Sequence, residues 1–270
     1  LIISDVGDFL RELINYKLSP TSMDWRDKCI KWKKLFPNCE DKFKGGELVD
    51  LYYLSEALSE NLLDSSVVVT DSGLAELILP SNISFRKGMR CIHPASQGSM
   101  GYALPAAVGA YYSSKLPVVT VVGDGSIMMN LQELETIRYH NLPIKIIVIN
   151  NNAYAVIRKR QVDMFRTRTI GTDPANGVSC PDFKKVADTF GLAYVFISST
   201  KELQKKIKEV LEMDGPVLCE IMSPEDQDYI SVAHSRTLES GFVRRPLEDQ
   251  APFIDRDIFL SEMIVGPIDQ

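Results

Sequence analysis

Five short runs of aliphatic and β-branched residues punctuate the chain: Val67-Val68-Val69, Val118 to Val122, Ile144 to Ile149, Tyr194 to Ile197 and Val217 to Ile221. Between and before them lie stretches whose apolar residues recur at helical spacing: Val49 to Leu62, about Leu131 to Tyr139, Phe183 to Phe190 and Leu203 to Met213. Strands that are apolar throughout, alternating with amphipathic helices, predict an α/β fold. The expected form is doubly wound, with a mostly parallel sheet and helices on both faces.

The flanks read differently. Val6 to Leu18 carries Val6, Phe9, Leu10, Leu13 and Ile14 on one helical stripe behind Asp5, a suitable N-cap. Trp25 to Lys44 is rich in Lys and Trp and reads as an exposed helix running into a loop, closed by Gly45-Gly46. Beyond Pro224 the alternation gives way to an acidic, Pro-containing tail with one short amphipathic piece, Ile258 to Met263. The expected division is residues 1–46 as an N-terminal appendage and linker, 47–225 as the α/β domain, and 226–270 as a tail.

Composition narrows the function. With 45% hydrophobic and 24% charged residues in 270, the chain has ample core material for one large domain. A net charge of −6 argues against non-specific binding to nucleic acid or an anionic membrane. No apolar run is long enough to span a bilayer. Leu1-Ile2-Ile3-Ser4-Asp5 is neither Met nor a basic segment before an apolar one, so a piece of something longer is expected rather than a signal peptide. The five cysteines are odd in number and form no CxxC pair, and Cys219 lies inside an apolar run where a buried thiol is expected. A reduced, cytoplasmic protein is the expectation.

In open α/β sheets ligands gather at the carboxyl ends of strands. Two runs here end in compact polar sequence. The first ends in Gly123-Asp124-Gly125-Ser126. Its glycines permit a tight turn and close approach of a ligand, and Ser126 is expected to cap the helix behind. Asp124 would repel a phosphate unless a divalent cation lay between them. The second ends in Asn150-Asn151-Asn152-Ala153-Tyr154, whose amide and carbonyl oxygens suit Mg²⁺ without adding charge. Either alone is an ordinary turn, but together they close consecutive strands of one β–α–β unit. A dinucleotide fingerprint is excluded because Ser126-Ile127-Met128 supplies no third glycine, and no P-loop motif occurs.

The spacing of Gly123-Asp124-Gly125 and Asn150-Asn151 resembles the signature of thiamine-diphosphate (ThDP) enzymes. The segment Gly98-Ser99-Met100-Gly101-Tyr102-Ala103-Leu104-Pro105 is similar to acetolactate synthase and its decarboxylase relatives. The similarity covers roughly Glu47 to Met222, the family's diphosphate-binding (PP) domain, and Leu1 to Leu18 resembles the end of its middle domain. This resemblance implies Mg²⁺ ligands at Asp124, Asn151 and the Ala153 carbonyl. It implies diphosphate contacts at Ser72, Gly73, Gly123, Gly125 and Ser126. Met100 would lie under the bend of the cofactor, Gly98 would accept from its 4′-amino group, and Val156, with Ile157, would face the reacting centre. Gly98 and Met100 are thereby the catalytic candidates within the chain. A lone His93 before Pro94 reads as structural.

One departure stands out. Where acetolactate synthases follow the first glycine with a Gln-His pair, Leu74 and Ala75 follow Gly73. The resemblance implies decarboxylation of a 2-oxo acid, pyruvate first, followed by release or transfer of the product. It also implies a glutamate from a pyrimidine-binding (PYR) domain, no part of which is legible here. The isolated chain is therefore expected to be inactive, and the intact protein to be a homodimer or tetramer. Whether a flavin (FAD) binds elsewhere stays open. Arg158-Lys159-Arg160 and Arg166-x-Arg168 read either as a clamp for an anionic acceptor or as a solvated loop or subunit contact. The tail, from Arg244-Arg245-Pro246 onwards, resembles a segment that closes over the site. Two other readings are a non-catalytic scaffold or regulatory protein of ThDP fold, and a separate PP subunit of a sulfopyruvate or phosphonopyruvate decarboxylase.

Overall fold

The structure is a computed structural model that describes residues 3–16, 22–165, 168–231, 234–237 and 241–266. It comprises two compact units, Leu1–Pro37 and Asn38–Gln270. In the first, α1 (Val6–Asn15) starts on Asp5, whose carboxylate accepts from the Gly7 and Asp8 N–H groups. The expected continuation to Leu18 falls largely outside the described residues. Helix α2 (Met23–Leu35) packs Trp25 edge-on against Trp32, with ring centroids 5.7 Å apart. The stretch to Lys44 is not one helix. It ends just before Pro37, which disfavours helical geometry in the residue ahead of it. A separate 3₁₀ turn follows at Asp41–Lys44 and belongs to the second unit, where Phe43 stacks on Tyr52.

The second unit runs α3 (Leu51–Asn61), β1 (Val67–Thr70), α4 (Leu74–Asn82), β2 (Arg90–Ile92), α5 (Ala103–Ser114), β3 (Val118–Gly123), α6 (Asp124–Ile127), α7 (Glu133–Tyr139) and β4 (Ile144–Asn150). It continues with α8 (Ala155–Met164), α9 (Phe183–Phe190), β5 (Ala193–Ile197), α10 (Leu203–Glu212) and β6 (Val217–Met222). The six strands form one sheet in the order β2-β1-β3-β4-β6-β5, and every pairing is parallel. Alternate strand residues point to opposite faces. Val119, Val121, Ile147 and Ile149 pack with Leu54, Leu58 and Ile78 of α3 and α4 and with Ile207 of α10. Val118, Val122, Ile146 and Val148 pack with Leu104 and Ala107 of α5, Ile137 of α7 and Phe183 of α9. The sheet is thus covered on both faces, the doubly wound arrangement expected. Cys219 is fully buried within it.

Some elements were not expected. They are β2, α4, α5, the four-residue α6 and α8. In the tail the helix α11 (Arg256–Glu262) coincides with the short amphipathic piece expected at Ile258 to Met263, whereas the antiparallel hairpin of β7 (His234–Thr237) and β8 (Gly241–Arg244) was not expected. Among the described residues no helix is long and apolar enough to cross a membrane. Register brings the site together. Gly123 pairs with Ile149, so the Gly-Asp-Gly and Asn-Asn-Asn segments leave adjacent strands side by side.

Candidate functional site

Asp124 opens α6 at the tip of β3 and is only 2% exposed. Its Oδ1 accepts from the Gly125 N–H and its Oδ2 from the Asn152 N–H, both at 2.6 Å. Burial pushes the Asp124 carboxyl up to about 6, although these backbone donors and the Cys180 thiol pull it down. The same burial, with the Asp124 charge, pushes Cys180 up to about 12. Gly125 is required for a steric reason, because an added Cβ would lie 1.9 Å from Cε1 of the Tyr154 ring. Ser126 does not cap a helix. It sits inside the four-residue α6, where Gly123 holds the N-cap position, because the turn begins at Asp124 itself.

At the tip of β4 the three asparagines divide the work. Asn150 Nδ2 donates to Glu220 Oε1 (2.6 Å) on β6, and Glu220 is held in turn by the Tyr194 hydroxyl (2.5 Å). Asn151 is buried, its Oδ1 accepting from the Ala153 N–H at 3.3 Å. Asn152 takes φ +56°, the left-handed turn that asparagine tolerates. The Tyr154 N–H donates to the Thr172 carbonyl, tying the loop to a second turn around Asp173 and Asn176.

At the tip of β1, fully buried Asp71 accepts from the N–H groups of Ser72 (2.9 Å), Gly101 (3.0 Å) and Ala103 (2.8 Å). It therefore caps α5 and clamps the Gly98–Tyr102 loop to the sheet. Asn130 Nδ2 donates to the Gly101 carbonyl from the other side (2.8 Å). Gly73, Gly98 and Gly101 have φ of +76°, +57° and +81°, which side-chain-bearing residues rarely adopt. Leu74 and Ala75 are buried in the start of α4.

These three tips surround a cavity of about 320 Å³. Ser72, Gly73, Gly98 and Met100 line it from the β1 side, and Gly123, Asp124, Gly125 and Ser126 from β3. Asn151, Ala153 and Val156, with Ile157, line it from β4 and α8. All eleven residues singled out in the sequence therefore meet in one place. Among the described residues no group of three or more His, Cys, Asp or Glu forms a metal site. The oxygens at the strand tips are one carboxylate, one side-chain amide and backbone carbonyls, a hard-donor set that fits Mg²⁺ and leaves coordination positions for oxygens of a bound group.

Sequence reasoning missed the clamp role of Asp71, the Tyr154 ring, Glu76 and the Asn150–Glu220 contact. Each acts across 29 or more residues, except Glu76, which stands in the first turn of α4 and could have been flagged as a charge in an otherwise apolar helix. The basic segment is partly resolved. Arg158 pairs with Glu225 and Asp226 beyond β6, and Lys159 lies 4.0 Å from Asp163. Arg166 lies outside the described residues, and Arg168 donates to the Phe165 carbonyl.

Residues 71–221, more than half of the chain and the whole surround of this cavity, match the family described as thiamine pyrophosphate enzyme, C-terminal TPP binding domain. The chain belongs to this family. The acetolactate synthase large subunit of Cyanidium caldarium is 29% identical over 248 residues, 87% of this chain and 41% of that one. Acetolactate synthase 1, chloroplastic, of Oryza sativa subsp. japonica is 29% identical over 236 residues, covering 84% and 36%. The mitochondrial acetolactate synthase of Schizosaccharomyces pombe is 30% identical over 207 residues, covering 75% and 30%. Among solved structures, a thiamine diphosphate-dependent 4-hydroxybenzoylformate decarboxylase of Rhodococcus jostii RHA1 superposes with a TM-score of 0.60 at 26% identity, over 68% of this chain and 34% of that one. The chain thus spans about two fifths or less of the length of these relatives. Their names place them in more than one compartment.

Proposed function

We propose that this chain is the Mg²⁺–ThDP-binding part of an acetolactate-synthase-like enzyme that decarboxylates a 2-oxo acid, pyruvate first, and then releases or transfers the acyl or aldehyde unit. The observation that carries the reading is the buried Asp124 carboxylate, lining one cavity together with Asn151, Ala153 and the glycine-rich turns at Gly73 and Gly125. Thiamine diphosphate, held there, would supply a carbon nucleophile and a thiazolium ring as electron sink for decarboxylation.

The chain's own residues bind and orient. Asp124, Asn151 and the Ala153 carbonyl hold the metal, and the Ser72, Gly73, Gly125 and Ser126 backbone faces the diphosphate. Met100 props the bend, and the Gly98 carbonyl accepts from the 4′-amino group. Val156 and Ile157, with Leu77 and Ile149, make an apolar wall that excludes water and so strengthens the polar contacts inside. The tail closes over the site as a lid. The glutamate that completes the site comes from a PYR domain, in a homodimer or tetramer, within a reducing compartment where the five cysteines stay unpaired.

The test is 2-oxo acid consumption by this chain alone and by the protein carrying a PYR domain. Turnover only in the second is expected. Robust turnover by the chain alone contradicts the division of labour. One observation favours a second reading, a scaffold of the same fold: buried Leu74 and Ala75 offer the diphosphate no side-chain donor.

A further inference from the structure

The end of the cavity remote from Asp124 presents two acceptors with no donor. Glu76, in the first turn of α4, lines the cavity, and its side chain is a fifth exposed. Its Oε2 stands 3.6 Å from the position a Cβ would take on Gly98, so the carboxylate borders the space beside that glycine. Its Oε1 is 3.5 Å from Nδ1 of His93, a buried nitrogen that makes no hydrogen bond. The Gly98 N–H is already used, donating to the Pro94 carbonyl at 2.9 Å. Among the described residues no group donates to the Gly98 carbonyl. A carboxylate and a peptide carbonyl without donors, on neighbouring residues lining one cavity, attract a group with N–H donors and disfavour an acceptor or an apolar group.

We propose that Glu76 is a cofactor-binding residue that accepts a hydrogen bond from the exocyclic amino group of the aminopyrimidine, alongside the Gly98 carbonyl. This rests on the ThDP reading of the cavity and deepens it. The metal end fixes the diphosphate, and Glu76 makes the far end selective for an amino substituent. The carboxylate also takes over part of the anchoring that Leu74 and Ala75 do not supply near the diphosphate.

The test compares two ligands in one protein, so that general losses of stability cancel. The full-length protein, at saturating Mg²⁺, is titrated calorimetrically with thiamine diphosphate and with its 4′-deamino analogue. The unsubstituted protein is expected to prefer thiamine diphosphate by tenfold or more, since a hydrogen bond to a charged group contributes about 10- to 100-fold in affinity. Glu76→Leu is expected to shrink that preference about tenfold while the deamino analogue binds as before, with Glu76→Gln falling between. Equal weakening of both ligands, or an unchanged preference, overturns the proposal. Should Glu76→Leu fail to fold, the same ratio in Glu76→Gln, which keeps the side-chain shape, decides it. Absence of binding by either ligand to the unsubstituted protein removes the ThDP reading itself, and this inference with it.

Discussion

At the tips of β3 and β4 the polar groups facing the cavity are fixed by backbone hydrogen bonds: Asp124 by Gly125 and Asn152, Asn151 by Ala153. At the tip of β1 the polar group is equally well fixed but faces away. Asp71 spends its oxygens on Ser72, Gly101 and Ala103, while the buried Leu74 and Ala75 offer only apolar side chains to the cavity they line. The groups suited to a metal are thereby gathered at the β3 and β4 tips, and the β1 side supplies backbone shape together with the Glu76 carboxylate of α4. On this account anchoring is lopsided, with the metal side dominating affinity and the β1 side deciding geometry.

The largest effect should come from Asp124. Replacing it with Asn removes the anionic metal ligand, and Mg²⁺-dependent affinity for thiamine diphosphate is expected to fall about 100-fold or more, read by titration. The metal-free protein should respond in the opposite sense. A carboxyl raised from 3.8 to about 6 in the folded state binds protons there more readily than in the unfolded chain. Stability is therefore lost as pH rises from about 4 to about 6, by up to about 3 kcal/mol. Asp124→Asn should raise the unfolding midpoint of the metal-free protein at pH 7.5 and leave it nearly unchanged at pH 4. A lowered midpoint at pH 7.5 would count against a strained, buried carboxylate.

Next comes Gly125→Ala. Its methyl meets the Tyr154 ring at 1.9 Å, and overpacking of this kind costs about 1–3 kcal/mol. The cost should largely vanish in a Tyr154→Ala background, as thermal unfolding of the four proteins of a double-mutant cycle would show. An undiminished penalty would mean that the turn, and not the ring, demands glycine.

Asp71→Ala strips three buried N–H groups of their acceptor and should cost about 2 kcal/mol. Amide exchange should accelerate at Gly101 and Ala103, while Mg²⁺ affinity should change less than for Asp124→Asn. The smallest change expected is a gain: Leu74→Gln puts a donor back at the β1 tip. A neutral hydrogen bond contributes about 0.5–1.5 kcal/mol, so thiamine diphosphate should bind about two- to tenfold more tightly. No gain would show that the β1 wall does not reach the diphosphate.

The strands legible in the sequence were those with continuous β-branched runs, because a strand buried on both faces needs apolar residues at every position. Arg90–Ile92 escaped notice as a three-residue, partly exposed edge strand. Helix α5 escaped for another reason. Rich in alanine and exposing residues such as Pro105, Gly109 and Tyr112, it lacks the polar stripe that marks a helix. Helix α4 carries Pro80 inside it, which reads as a breaker. Asp124 and Asn151 were legible because both cap neighbouring strands at recognisable spacing. Asp71, Tyr154 and Glu220 were not, because their partners lie 29 to 70 residues away and only the fold brings them together. The expected N-cap at Ser126 failed because the helix starts at Asp124, which moves the N-cap three residues back to Gly123.

The central claim is that one buried carboxylate anchors a metal-bridged diphosphate in this cavity, and calorimetric titration of the protein with thiamine diphosphate, with and without Mg²⁺ and beside Asp124→Ala, tests it most directly. The account predicts heat of binding that requires Mg²⁺ and disappears in Asp124→Ala. Binding that is indifferent to Mg²⁺, or that survives the substitution, would contradict it.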